Sequence, residues 1–431
     1  MTSASLARAL QARGVHYGWL AAGVTFLTML ATAGALGSAG VMLPALRDEF
    51  GWTTAEISGA LAVRFLLFGL LGPFAAALMN RFGVRQVTGT ALGMIVAGIL
   101  ASFAMTELWQ LFLLWGVVLG VGTGLTALVL GATVATRWFT HRRGLVMGLM
   151  TASNATGQLV FLPLVAALTE GYGWRTALSV TVAGLALAFA LVLAFLRDRP
   201  SDVGLPPHGE TRVQPAPPPP AGGLAPLLVL PVQVLIEVSA TRTFWILFLT
   251  FFICGFSTNG LIQTHWVALC GDFGVLPVAA AGMLAVIGVF DLAGTIGSGW
   301  LSDRFDNRRL LAWYYGLRGL SLVFLPFSDF SANQLYLFAI FYGLDWVATV
   351  PPTVRLAAER FGAERAPLVF GWVFAGHQIG AAAASSFAGW VRTDSGSYMP
   401  ALYAAGVLCI GAAAIILFLS REAPPRARAA A

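Results

Sequence analysis

The chain alternates between long apolar runs and short polar breaks. Runs such as 61–78, 111–134, 177–196 and 244–261 carry almost no charge and no two-residue alternation. They predict helices that are hydrophobic on every side rather than on one stripe. Each comes near the ~20 residues a helix needs to cross ~30 Å of hydrocarbon. Twelve spans are expected, at about 17–41, 54–79, 86–105, 109–136, 144–168, 176–196, 243–267, 277–302, 309–328, 333–357, 367–390 and 398–419.

The breaks sort by charge. One side holds Arg8, Arg13, Arg81, Arg85, Arg137, Arg142, Arg143, Arg197, Arg199, Arg212, Arg242, Arg304, Arg308, Arg309, Arg360, Arg365, Arg421, Arg426 and Arg428, while the other holds only Arg47, Arg175 and Arg392. The positive-inside rule puts the arginine-rich side, and with it both termini, in the cytoplasm. A bacterial inner (plasma) membrane is the expected location. The first apolar run is too long for a cleaved leader and many more follow it. Only the break at 197–242 is long, and its "RVQPAPPPPAGG" cannot pack a core, so it reads as a flexible cytoplasmic linker. It separates an N-terminal six-helix bundle (1–196) from a C-terminal one (243–431).

The two halves repeat. "AALMNRFGVR" near residue 80 matches "GWLSDRFDNRR" near 303, each between the second and third spans of its half. "TRWFTHRRGLVMGLMTASNATGQ" (136–158) resembles "ERFGAERAPLVFGWVFAGHQIG" (359–380). With one gap, Gly148 aligns with Gly371, Asn154 with His377 and Gly157 with Gly380. Duplicated six-span units predict an all-α membrane protein of two pseudo-symmetric bundles around a central site, as in secondary transporters.

Composition narrows the chemistry. Of 431 residues, 58% are hydrophobic and 10% charged, against roughly 25% charged in soluble domains. The net charge of +6 is spread over short loops, which argues against a nucleic-acid partner. Lysine is absent, so all 25 basic residues are arginine. Cys254, Cys270 and Cys409 stand apart and read as small packing residues, with no metal spacing. "LGVGTG" (119–124) lies within an apolar run and reads as a close-packing motif, not a nucleotide loop. No Walker sequence or hydrolytic triad stands out, so an enzyme, a cofactor and direct ATP coupling are not expected.

The paired loops carry a resemblance. Their pattern, G-x-x-x-D-R-x-G-[RK]-[RK], resembles the major facilitator superfamily, and the likeness extends over nearly the whole chain. The second copy keeps Gly299, Asp303, Arg304, Arg308 and Arg309, with Asp306 at the usual glycine. The first has Ala76 and Asn80 for glycine and aspartate but keeps Arg81, Gly83 and Arg85. Within that superfamily, "YGWLAAGV" (17–24), "RWFTHRRGLVMGLMTASNATGQ" and "GYGWRTAL" (171–178) resemble the monocarboxylate transporters and their bacterial oxalate/formate antiporter relatives. The resemblance implies alternating access, a conformational gate at the two loops and a small organic-anion substrate. It also implies a membrane aspartate in the eighth span, matched by Asp291. The arginine that animal members carry four residues later is replaced by Thr295, and no lysine matches the family's other cations.

Several polar residues fall within spans, where each needs a reason. Asp291 lies about 12 residues, or ~18 Å, from the arginine-rich end of its span, and a bare charge there costs on the order of 3 kcal/mol. Burial and a nearby cation pull such a carboxyl's titration in opposite directions, a balance that suits proton coupling. Arg318 sits at a similar height in the next span and is expected to pair with Asp291. Arg64, ten residues into the second span, is a candidate anion ligand because guanidinium binds carboxylates bidentately. Asp345 rivals Asp291 for the proton, while His377 and its repeat partner Asn154 are expected at the central cavity, in substrate binding or proton relay. Arg355 reads as snorkelling to the interface, and Pro351–Pro352 predict a break in the tenth span.

The expectation is therefore a proton-coupled carrier of a small organic anion such as a monocarboxylate, embedded in a lipid bilayer. A carboxylate exchanger and an exporter of drug-like or amphipathic compounds remain open, as does oligomeric state. A membrane sensor is not expected, because neither the 197–242 loop nor the tail after Leu419 reads as a signalling domain.

Overall fold

A computed structural model describes residues 3–213, 225–362 and 365–419; within several helices the side chains of 3–4, 128, 143–144, 154–155, 158–159 and 225–228, Asn154 among them, lie outside the described residues. A short helix, α1 (Ser3–Ala12), precedes the long apolar ones. The first half continues with α2 (Tyr17–Phe50), α3 (Thr54–Phe82) and α4 (Val84–Ser102). Its fourth span is assembled from α5 (Leu108–Leu111), a π-helical stretch (Phe112–Val118), α6 (Leu119–Leu125) and α7 (Leu128–Trp138). Then come α8 (Arg143–Tyr172) and α9 (Trp174–Phe195). After the connecting segment, which contains α10 (Ala225–Ser239), the second half begins with α11 (Arg242–Gly255), a π-helical stretch (Phe256–Gln263) and α12 (Thr264–Gly271) as one continuous span. It continues with α13 (Pro277–Ser302), α14 (Asn307–Phe324), α15 (Ala332–Asp345), α16 (Val350–Phe361), α17 (Ala366–Ser395) and α18 (Met399–Leu417).

Eleven of these spans are long and apolar enough to cross a membrane among the described residues. The 30-residue α8 supplies the twelfth rod. Local chemistry sets their ends. Thr53 and Glu56 exchange hydrogen bonds in a capping box at the start of α3. Gly51, at φ 69°, turns the chain out of α2 in the left-handed region that glycine adopts without strain.

The repeat is visible in the packing. Gly157 of α8 lies against the Leu30 carbonyl of α2, and its counterpart Gly380 of α17 against the Phe252 carbonyl of α11. In both places an added Cβ has no room, so the two backbones touch. The glycines of "LGVGTG" act similarly: Gly120 abuts Arg64 and Leu67 of α3, and Gly122 abuts Ala91 and Ile95 of α4. The close-packing reading of that motif holds.

The halves meet along α3 and α17. On the arginine-poor side, Ser385 Oγ donates to the Ser58 carbonyl at 3.1 Å and Ala55 N–H to Thr393 Oγ1 at 3.2 Å. Gly40 of α2 touches the backbone of Gln263 and Thr264 there. His265 is buried in the same region, with Nε2 3.0 Å from the Ser385 carbonyl and Nδ1 3.3 Å from Tyr398 Oη. Toward the arginine-rich side, Gly371 sits on Pro73 and Phe74 packs edge-on against Trp372.

The connecting segment departs from the expectation of a uniformly flexible linker. Val203 and Leu205 are buried, the Pro206 carbonyl lies 3.0 Å from His16 Nε2, and His208 pairs its backbone with Phe139. α10 is docked through the Trp372 indole, which donates to the Pro231 carbonyl at 2.9 Å. The proline-rich centre, 214–224, lies outside the described residues.

Candidate functional site

The site grows out of two broken helices at matching places in the repeat. In the tenth span, Pro351 and Pro352 have no N–H to donate backward, and regular α-helical hydrogen bonding lapses between Asp345 and Val350. The break frees backbone groups that the interior must satisfy. Three side chains do so. Ser298 Oγ donates to the Ala348 carbonyl at 2.5 Å. Arg318 Nη2 donates to the carbonyls of Asp345 at 2.5 Å and Trp346 at 3.3 Å. Asp291 Oδ1 accepts from the Val347 N–H at 3.0 Å. Close glycine contacts bring the helices together here: Gly294 of α13 lies against the Leu344 carbonyl and Gly343 of α15 against that of Ile287. The fourth span breaks correspondingly between α6 and α7, where Thr126 Oγ1 turns back to the Gly122 carbonyl at 3.2 Å.

A cavity of about 130 Å³ lies between the broken spans. The first half contributes Met29, Thr32, Phe68, Thr126 and Thr151 to its wall; the second contributes Asn259, Gln263, Asp291, Trp346, His377 and Gln378. Asn259 belongs to the π-helical stretch of the seventh span, where one wider turn re-aims side chains inward. His377 stacks on Phe374 with ring centres 5.6 Å apart, and its Nδ1 lies 3.3 Å from Gln378 Nε2.

Asp291 and Arg318 do not pair. Asp291 is instead held by Thr295, whose Oγ1 donates to Oδ1 at 3.0 Å from the position where the resemblance led one to expect arginine. Arg318 is fully buried and directs Nε to Asp345 Oδ2 at 2.6 Å, with Nη1 2.9 Å from Cys254 Sγ. The reason is the helix break. It presents the Asp345 carboxylate and two free carbonyls to one guanidinium, a fuller set of acceptors than Asp291 offers. Arg318 is therefore enclosed and is not part of the cavity wall, and Asp345 is its counter-ion. Cys254 departs from the purely apolar role expected for it, because it accepts this N–H and lines the cavity.

Arg64 is also buried, at 2% exposure, with no carboxylate against it; Nε and Nη1 lack hydrogen-bond partners. It stands on α3 one turn from Phe68, toward the arginine-poor side. Asn154, the repeat partner of His377, belongs to α8 and its side chain lies outside the described residues.

The two motif loops lie at the arginine-rich ends. Arg355 does not simply snorkel: it is ion-paired with Asp303 and reaches Glu359 at 3.3 Å. In the first half, Arg137 Nη2 donates to Asn80 Oδ1 at 2.7 Å. Each half thus joins its motif position, Asn80 or Asp303, to an arginine at the end of its fourth span. The first loop's missing carboxylate is offset by Asp198, which accepts from the Arg85 N–H at 2.9 Å and leaves no room for a Cβ on Gly83. Arg308 is clamped on Asp306 at 2.6 Å, and Arg304 lies over the Trp300 ring at 4.1 Å. Gly299 borders open space, Arg81 ends α3 and Arg309 opens α14. Ser298 and Asp198 could be found in sequence only by knowing the break and the fold they serve; Thr295 stood out by position, but not as a donor to Asp291.

Broken helices meeting around a largely apolar cavity with a few polar groups in its wall, inside a duplicated bundle of membrane spans, are the architecture of a solute carrier. The chain belongs to the Major Facilitator Superfamily, whose family model matches residues 23–354 and 271–431. It is a transporter and not an enzyme. It is 28% identical over 410 residues to monocarboxylate transporter 13 of Rattus norvegicus, covering 94% of this chain and 89% of the relative. It is 26% identical over 392 residues to the uncharacterized MFS-type transporter YcxA of Bacillus subtilis (strain 168), covering 87% and 88%. Monocarboxylate transporter 11 of Homo sapiens is 25% identical over 427 residues, covering 95% and 84%.

Proposed function

We propose that the protein carries a small organic anion, a monocarboxylate such as lactate or pyruvate, together with a proton. The two six-helix bundles, 1–196 and 243–431, rock around the cavity in alternating access. Both termini and the arginine-rich loops face the cytoplasm of a bacterial inner membrane. One observation carries the reading: Asp291 lines the cavity without a cation bonded to it, while Arg64, on the helix that also contributes Phe68 to the wall, is buried with Nε and Nη1 unpartnered. A substrate carboxylate supplies the acceptor that Arg64 lacks, and a proton neutralises Asp291. His377 and Asn154 complete the substrate contacts. Asp345 serves as the fixed counter-ion of Arg318, leaving coupling to Asp291. The Asn80–Arg137 and Asp303–Arg355 contacts act as latches at the cytoplasmic ends.

The test is uptake of labelled lactate, pyruvate, formate and oxalate into proteoliposomes, with and without an inward proton gradient. Gradient-driven accumulation that disappears in Asp291→Asn, and a raised KM in Arg64→Lys, are expected. Transport of none of the four under either condition refutes the anion reading and leaves export of amphipathic compounds to be tried.

A further inference from the structure

The helix in the connecting segment is too apolar for the water that surrounds a free linker. From Ala225 to Ile236 the sequence carries no charge, and Gln233 is its one strongly polar residue. Pro231, Val234 and Val238 share the face that α10 turns inward. The opposite face presents Val229, Leu230, Val232 and Ile236, with Leu230 59% and Ile236 65% exposed. In a free linker these four large apolar side chains would stand in water, which is unfavourable.

The contacts of α10 place it against membrane spans. It touches α3 of the first half and α11 and α17 of the second. The Pro231 carbonyl accepts from Trp372, which lies about six residues, or ~9 Å, into α17. Glu237, further along α10, meets Arg365 just before α17 begins. The helix thus descends beside the first turns of α17 toward the arginine-rich ends, with Leu230 nearer its deeper end. At its lower end the Trp245 indole donates to the Ser239 carbonyl at 2.7 Å. Trp245 and Leu249 form an exposed stripe on α11. On a membrane span such a stripe faces lipid, and α10 adjoins it.

We infer that α10 lies within the bilayer leaflet at the arginine-rich ends, its outward face against the acyl chains, and covers the seam between α3 and α17 from the lipid side. That seam is where Gly371 sits on Pro73 and Phe74 packs against Trp372. The partner is lipid hydrocarbon rather than an anionic headgroup, because α10 has no basic residue and its one acidic residue, Glu237, is paired with Arg365. At 15 residues, or ~22 Å, the helix is too short to cross ~30 Å of hydrocarbon and enters one leaflet only. Its bonds to Trp372, Arg365 and Trp245 tie it to the second half. This placement is independent of which solute the protein carries.

Cys254, Cys270 and Cys409 are buried, so an exposed cysteine can be read in the full chain. Leu230→Cys and Ile236→Cys are compared with Val213→Cys, an exposed position earlier in the same segment, and with Leu249→Cys on the lipid-facing stripe of α11. Each is labelled with bimane in detergent, checked for an unchanged size-exclusion profile and reconstituted into phosphatidylcholine nanodiscs. Brominated acyl chains should quench the labels at 230 and 236 severalfold more than the label at 213, as they do the label at 249. Iodide in the water should do the reverse. Because bimane is itself apolar, unlabelled nanodisc samples are also treated with a charged maleimide. Cysteines at 230 and 236 should react about tenfold more slowly than the one at 213. Iodide quenching or maleimide reaction at the level of position 213 overturns the placement. Protection from iodide without quenching by brominated lipid overturns it too, and shows that protein covers this face, whether a second copy or another part of the chain.

Discussion

Removing either partner of the Arg318–Asp345 pair tests whether this guanidinium is structural or binds substrate. Its side chain is fully buried and its donors are taken up: Nε by Asp345 Oδ2 at 2.6 Å, Nη2 by two carbonyls of the helix break, and Nη1 by Cys254 Sγ at 2.9 Å. Asp345→Leu leaves the guanidinium without a counter-ion, and Arg318→Leu leaves a carboxylate and the break's carbonyls without donors. Removing one partner of a buried ion pair costs about 3–5 kcal/mol, whereas replacing both by apolar side chains of similar volume is often neutral. Each single variant should therefore unfold well below the wild type in detergent, and the double Arg318→Leu/Asp345→Leu should regain most of the loss. The two orphaned carbonyls keep some of the cost, about 1–3 kcal/mol each where no water replaces the donor. The assay is thermal unfolding of the purified protein followed by tryptophan fluorescence, with lactate uptake measured on the same preparations. Single variants as stable as wild type, or a double variant as damaged as the sum of the singles, would refute the reasoning. Uptake in a folded double variant places Arg318 in the scaffold; its loss there returns Arg318 to the substrate path.

Gly157→Ala and Gly380→Ala each push a methyl into a neighbouring backbone carbonyl and should cost about 1–3 kcal/mol of unfolding free energy; Gly148→Ala, which borders open space, is the neutral control. Asp303→Asn removes an ion pair whose side chains are 71% and 41% exposed, so stability should change by less than about 1 kcal/mol. If the pair is a latch, the initial transport rate nevertheless shifts severalfold, and an unchanged rate argues against that role. His16 accepts the Gly18 N–H at Nδ1 at 3.1 Å and faces the Pro206 carbonyl with Nε2, so its neutral form fits. Burial first, and His208 in addition, hold its pKa below the ordinary 6.5 despite the opposing pull of that carbonyl. The unfolded chain then binds the proton more readily, so stability is unaffected well above 6.5 and falls as pH drops below it. His16→Gln should flatten that part of the unfolding-versus-pH curve, and an unchanged slope would show the acid sensitivity lies elsewhere.

Spans, repeat and family were readable because they depend on composition and period. An apolar run near twenty residues has few folded fates, and the arginine bias and the paired loops repeat at fixed intervals. The aligned glycines Gly157 and Gly380 carried over into equivalent contacts because a missing Cβ is a local property that two backbones can exploit. The Pro351–Pro352 break was legible for the same reason. Partnerships were not. Similar depth on consecutive helices suggested Asp291 with Arg318, but depth does not specify rotation about the helix axis or what a neighbouring span offers.

What the chain determines by itself is where each segment must lie: apolar helices in the bilayer, arginines at one set of ends, a break at the two prolines. Tertiary structure decides which buried charge meets which partner. The broken tenth span exposes carbonyls and an N–H that are absent from any list of side chains, and these acceptors and donors draw Arg318 to Asp345 and Asp291 to Val347. Buried polar groups pair with whatever the fold brings within about 3 Å, and backbone groups released by a break belong to that set only after the helices have packed.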